Sequence, residues 1–213
     1  MVETLAGPVE FEKEVRKSLF LARARPVENE EEAMAFIRRV SSPEATHNCW
    51  AWKIASRYRS DDDGEPGGTA GRPILQVIEA QGLDRVVVVV TRWFGGVKLG
   101  AGGLVRAYGG TAAECLRLAE RVVLVERVRR AFHCPFGDLA LVASRLPGLD
   151  AVIEDETFDA EGASYVVAVP VPRAGELSPR LAALSRGRST VGEMADYGHI
   201  PSDGIVWAGK VAP

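Results

Sequence analysis

Five consecutive valines, Val86 to Val90, constrain this chain more than any other feature. A strand with one wet face alternates apolar and polar residues. An unbroken run of β-branched residues, here within Arg85 to Trp93, instead suggests a strand buried on both faces. A glycine-rich loop, Phe94 to Gly103, follows it. Leu104, Ala107, Tyr108, Thr111, Cys115 and Leu118 then fall on one face at helical spacing.

Upstream, Phe11 to Ala22 places Phe11, Val15, Leu19 and Leu21 on one side at period two and reads as a half-buried strand. Asn29 with Glu32 three residues later looks like a capping box. Ala33, Phe36, Ile37 and Val40 continue that helix. Thr46 to Ile54 alternates again, with Trp50, Trp52 and Ile54 on one side. Arg59 to Arg72 reads as a polar, glycine-rich loop. Pro73 opens a short helix that Gly82 closes.

Downstream, Val122 to Cys134 reads as a strand and Asp138 to Leu146 as a helix. Leu149 to Phe158 and Ala163 to Val171 are strands, Leu177 to Leu184 a helix, and Thr190 to Tyr197 a last weak strand. That order, βαββαβ, is the ferredoxin-like arrangement. The expected class is α+β with two domains. Residues 1–133 form a two-layer α/β domain and residues 134–213 a ferredoxin-like domain with an irregular tail from Gly198 to Pro213.

The 213 residues suffice for one large domain or two small ones, with 46% hydrophobic and 26% charged residues. No apolar run approaches the ~20 residues of a membrane span, and no signal peptide is visible at Met1-Val2-Glu3-Thr4. Cys49, Cys115 and Cys134 are scattered and lack a CxxC pair. They exclude a disulfide framework and a cysteine-rich zinc site, and they fit a reducing cytoplasm. Arginine outnumbers lysine 21 to 5, which fits a thermophile or a GC-rich genome. The net charge of −3 excludes a uniformly basic nucleic-acid binder. Yet Arg85, Arg92, Lys98 and Arg106 occur with no acidic residue among them, so a local basic patch remains.

Two loops could carry chemistry. The first, Asp61 to Pro73, holds four carboxylates in five residues: Asp61, Asp62, Asp63 and Glu65. Oxygen ligands suit a hard cation, but no EF-hand spacing is present. A solvated acidic turn explains the loop better, and no metal or cofactor is expected. The second, Thr91 to Tyr108, is neither a Walker A loop nor a dinucleotide fingerprint. Its strand–glycine loop–helix context aims backbone N–H groups at an anion. Lys98 and Arg106 lie near the helix start, where a cation opposes the dipole. Either an anion sits between them, or Arg106 pairs with Asp62, Asp63 or Glu65. His47 and Cys49 share one side of a strand and look structural rather than a catalytic dyad.

These stretches together carry a resemblance. His47-Asn48-Cys49-Trp50-Ala51, Asp62-Asp63-Gly64-Glu65-Pro66 with Gly68-Thr69-Ala70-Gly71, and Arg92-Trp93-Phe94-Gly95-Gly96-Val97-Lys98-Leu99-Gly100 with Gly103-Leu104-Val105-Arg106-Ala107-Tyr108 resemble the Impact family and its bacterial YigZ-type members. Lys17 to Ala22 is similar to that family's opening strand. The resemblance implies the α/β fold of elongation factor G domain IV, followed by a ferredoxin-like domain. Eukaryotic relatives restrain a kinase that shuts down translation initiation, with help from an extra N-terminal domain that is not expected here.

The expectation is therefore a non-catalytic, cytoplasmic, translation-linked protein contacting RNA, the ribosome or a translation-related protein, without DNA or membrane. Arg72, Arg92, Gly95, Gly96, Lys98, Gly102, Gly103 and Arg106 would bind RNA phosphates or another anion. His47, Asn48, Asp62, Asp63, Gly64, Glu65, Thr69 and Gly71 form the motif loop beside them. The alternative is a small hydrolase or other enzyme acting on an anionic substrate between the two loops.

Overall fold

A computed structural model describes residues 2–192. Most of the last expected strand and the whole tail after it lie outside the described residues. The rest divides into two compact units between Leu124 and Val125.

The first unit runs β1 (Glu3–Leu5), β2 (Val9–Val15), β3 (Ser18–Pro26), α1 (Glu30–Val40), β4 (His47–Ile54), β5 (Arg57–Asp61), α2 (Gly71–Ala80), β6 (Val86–Trp93), α3 (Ala101–Leu118) and β7 (Arg121–Val123). Five strands form one antiparallel sheet in the order β2-β3-β6-β4-β5, and β1 pairs with β7. The valine run is the central strand. Val86, Val88 and Val90 pack under α2 and α3 with Phe20, Ile74 and Tyr108. Val87 and Val89 pack under α1 with Phe36, Trp50 and Trp52. All five valines are at most 1% exposed, and full burial of each contributes about 1.5–3 kcal/mol. A helix on each face explains why the run does not alternate, although the sheet is antiparallel. Helix α1 begins as its sequence implies: the Asn29 side chain accepts from the Glu32 N–H at 2.9 Å.

Three expected elements differ. Phe11 to Ala22 is not one strand but the β2–β3 hairpin. Its two-residue turn, Arg16-Lys17, has positive φ at both positions, the mark of a type I′ turn. The closing pair Val15–Ser18 makes the inward positions odd in β2 and even in β3. Phe20, Ala22 and Ala24 are therefore buried, while Leu19 and Leu21 face the other side. The second difference is β5, which occupies the start of the expected loop. Its residues are mostly exposed, so no apolar alternation marks it. The ladder to β4 holds it in place.

The expected strand Val122 to Cys134 is likewise two strands. Strand β7 belongs to the first unit through β1, and β8 (Arg127–Pro135) opens the second. The second unit continues with α4 (Leu139–Arg145), β9 (Val152–Phe158), β10 (Gly162–Pro170), α5 (Ala174–Ser185) and β11 (Val191–Gly192). Its antiparallel sheet has the order β11-β8-β10-β9. With its βαββαβ connectivity this is the ferredoxin-like arrangement. Its core gathers Phe132, Tyr165, Val167, Leu177 and Leu181.

Candidate functional site

The two glycine-rich loops meet in the first unit. Register brings His47 of β4 opposite Arg92 of β6, with Phe20 of β3 opposite Arg92 on its other side. All three therefore share the sheet face that α3 covers. The acidic loop closes over this row. Glu65 Oε1 accepts from Arg92 Nη1 at 2.6 Å and from the Tyr108 hydroxyl of α3 at 2.7 Å. Both side chains of the ion pair are over nine-tenths buried. The Arg92 guanidinium also lies 5.5 Å from the Phe20 ring centroid and 5.4 Å from that of Phe94. Its Nε has no hydrogen-bond partner among the described residues.

The remaining carboxylates shape the loop. Asp62 Oδ1 accepts from Ala70 and Gly71 N–H, and Oδ2 accepts from Gly68 N–H. Helix α2 has no side-chain cap of its own at Ala70, so Asp62 caps it from upstream. Burial opposes ionisation of Asp62. The N–H groups of Gly68, Gly71 and Ala70 outweigh that and hold its carboxyl below the usual range. Asp63 Oδ2 accepts from Asn48 N–H at 2.5 Å, and Asp61 Oδ1 accepts from Asp63 N–H. Asn48 in turn ties down Ser42 and Thr91. The Thr69 hydroxyl donates to Pro66 O. Among the described residues no group of three or more His, Cys, Asp or Glu could hold a metal ion.

His47 Nδ1 lies 2.6 Å from the Asp63 carbonyl, which can only accept, so that nitrogen carries hydrogen. Its Nε2 lies 3.8 Å from Glu65. The Cys49 thiol donates to the Asp62 carbonyl at 3.0 Å. Burial, more than the nearby carboxylates, pushes its pKa far up, so it stays a thiol. Burial likewise raises the Tyr108 phenol, and Glu65 adds to the effect.

A cleft of about 350 Å³ opens beside this network. Both loops line it, with His47, Glu65 and Pro66 on one side and Arg92, Phe94, Lys98 and the start of α3 on the other. Helix α3 has no side-chain cap, and Gly100 at its N-cap holds φ +73°. Lys98, Gly100 and Ala101 line the cleft, so the positive end of α3 lies at its wall. Gly95 is needed for close packing instead. A Cβ there would lie 1.7 Å from the Lys17 carbonyl oxygen, so glycine lets the β2–β3 turn press on the loop.

Lys98 and Arg106 do not share a site. Arg106 lines a second cavity, of about 470 Å³, with Lys13 and Arg16 of the hairpin. Arg72, exposed on the first turn of α2, lines neither cavity. The acidic loop pairs with Arg92 rather than Arg106. Sequence reading missed Lys13 and Arg16 because it treated their hairpin as one strand. It missed the hydroxyl contact of Tyr108 because that side chain sits on the helix's apolar face. A phenol on such a face was the available signal.

A sheet covered by helices on both faces, two apposed glycine loops and a ferredoxin-like second unit define a two-domain α+β protein. Residues 16–116 match the Impact N-terminal domain and residues 132–188 match a domain of unknown function (DUF1949). The chain belongs to the IMPACT family. It is 51% identical over 177 residues to a Thermus thermophilus IMPACT family member, covering 82% of this chain and 97% of that protein. It is 34% identical over 192 residues to the Escherichia coli IMPACT family member YigZ, covering 85% and 92%. A crystal structure described as that of an hypothetical protein superposes with TM-score 0.66 at 32% identity, covering 89% of this chain and 95% of the other. Among the described residues, no helix is long and apolar enough to cross a membrane.

Proposed function

We propose that this protein is a non-catalytic, cytoplasmic regulator linked to translation, which contacts RNA or the ribosome through its first unit. Family membership supports the translation link. The observation that carries the RNA reading is the head of α3. An uncapped helix N-terminus opens on a cleft that Lys98 and Arg92 line. Such a group of donors fits a phosphate. The acidic loop serves this surface from behind by neutralising Arg92 and fixing α2.

The test is binding of ribosomes and tRNA across a salt series. Wild type should bind at low salt and lose affinity steeply as salt rises. Lys98→Glu, folded by circular dichroism, should weaken binding and flatten that dependence. No binding by wild type at low salt overturns the reading.

A second reading, an enzyme acting on a small anionic substrate, is favoured by one observation: the cleft is lined by both loops. Against it, Glu65 is committed to Arg92 and Tyr108, and Cys49 is held as a thiol.

A further inference from the structure

We propose that the β2–β3 hairpin tip and the head of α3 form one groove for single-stranded RNA. In it Lys13, Arg16 and Arg106 meet phosphates, and Phe94 offers a ring for one base to stack on. This inference rests on the RNA reading above and specifies its path and the strandedness of its ligand.

Three observations carry it. The first is charge. Lys13, Arg16 and Arg106 are exposed and line one cavity, and a single carboxylate, Glu14, lines it with them. Among the described residues none of these cations, nor Lys98, has an ion-pair partner. Like charges gathered without partners repel, and a polyanion relieves that repulsion. Leu99 lines both this cavity and the cleft that holds Lys98, so the two adjoin across the head of α3. A small anion would fill one of them, whereas a phosphodiester chain spans both.

The second is strain. Arg16 holds φ +47° and Lys17 φ +68°, in a turn that asparagine and glycine adopt most easily. Two long cations at positions costly to non-glycine residues point to a function at the tip. The tip is also fixed in place, because the Lys17 carbonyl presses on Gly95 of the glycine loop. Hairpin tip and glycine loop are thus in direct backbone contact.

The third is Phe94. Phe94 is 47% exposed and lines the cleft, and the buried Arg92 guanidinium lies 5.4 Å from its ring centroid. Exposed aromatics beside a cationic track are how proteins hold single strands, because every unpaired base has a face to stack. A duplex offers no such face within its stack.

The experiment measures fluorescence anisotropy of a fluorescein-labelled oligouridine of roughly a dozen nucleotides, titrated with the full chain at several salt concentrations. Phe94→Ala should weaken binding roughly ten-fold while leaving the salt slope unchanged. Lys13→Glu/Arg106→Glu should weaken it and reduce the slope by roughly 0.7 for each phosphate that is no longer neutralised. Arg16→Asn/Lys17→Gly should do the same while raising hairpin stability, so its loss of binding is not a loss of fold. Unchanged oligouridine binding in the three variants overturns the groove and leaves the RNA reading standing. Full displacement by polyglutamate, with no effect of Phe94→Ala, overturns it in favour of an acidic protein partner. Equal affinity for duplex RNA overturns the single-strand claim. Binding of no RNA at low salt overturns both the groove and the reading it rests on.

Discussion

Glu65 and Arg92 form an ion pair at 2.6 Å, with both side chains over nine-tenths buried and the Tyr108 hydroxyl donating to the same carboxylate oxygen. Removing one partner strands a charge without water. Glu65→Gln should lower the stability of the first unit by about 3–5 kcal/mol. Tyr108→Phe should cost about 2 kcal/mol, the worth of one hydrogen bond to a charged group. Urea unfolding followed by tryptophan fluorescence measures both, since three of the four tryptophans, Trp50, Trp52 and Trp93, belong to the first unit. A loss below about 1 kcal/mol for Glu65→Gln would show that water reaches the pair.

Asp62 gives the fold an acid limit. Its carboxyl is held below the ordinary value of about 3.9. A depressed folded-state pKa contributes stability that is complete above the unfolded value and is lost as pH falls through the folded one. Asp62→Asn should therefore cost about 1 kcal/mol at neutral pH, as the loss of a helix cap does. It should also make stability less sensitive to acid below pH ~4. Parallel acid titrations of wild type and variant would expose the error, because the two curves would then keep a constant separation.

Much of this was legible in the sequence, for physical reasons particular to each segment. Val86 to Val90 allowed few environments, so the central strand and its cover on both faces could be read directly. Asn29 and Glu32 fixed the start of α1 because capping is local chemistry. Strand β5 was not legible, because Arg57 to Asp61 is held by pairing with β4 and buries little. The β2–β3 turn was hidden because Arg16-Lys17 lacks the usual turn residues. At the site, residue types indicated which loops mattered, but not partners. Glu65 chose Arg92 over Arg106 because β6 and the helix face set different directions. That depends on tertiary register, which no local pattern encodes.

The thiols should be silent in the native state. Cys49, Cys115 and Cys134 are all free and buried. Burial pushes the Cys115 thiol up to about 12 and raises the other two as well. The thiolate is the reactive form, so a disulfide-exchange reagent at mildly alkaline pH should label none of them until urea is added. Rapid labelling of Cys49 in the folded protein would contradict its assignment as a structural thiol, and mass spectrometry of the labelled peptide identifies the site.

Two glycines near α3 should respond in opposite directions. A Cβ at Gly95 would stand 1.7 Å from the Lys17 carbonyl oxygen and 2.0 Å from its carbon, both backbone atoms that cannot rotate away. Gly95→Ala must push the hairpin off the loop, and it should cost at least about 2 kcal/mol. Gly110 lies inside α3 with nothing within 4 Å of the added carbon. Its backbone is already helical, so Gly110→Ala removes only the entropy that glycine loses on folding. It should stabilise the first unit by about 0.5–1 kcal/mol. Thermal unfolding of the two variants beside wild type reads both signs at once. A neutral Gly95→Ala would mean that the hairpin tip is free to move away from the loop, and with it the groove that the tip helps to build.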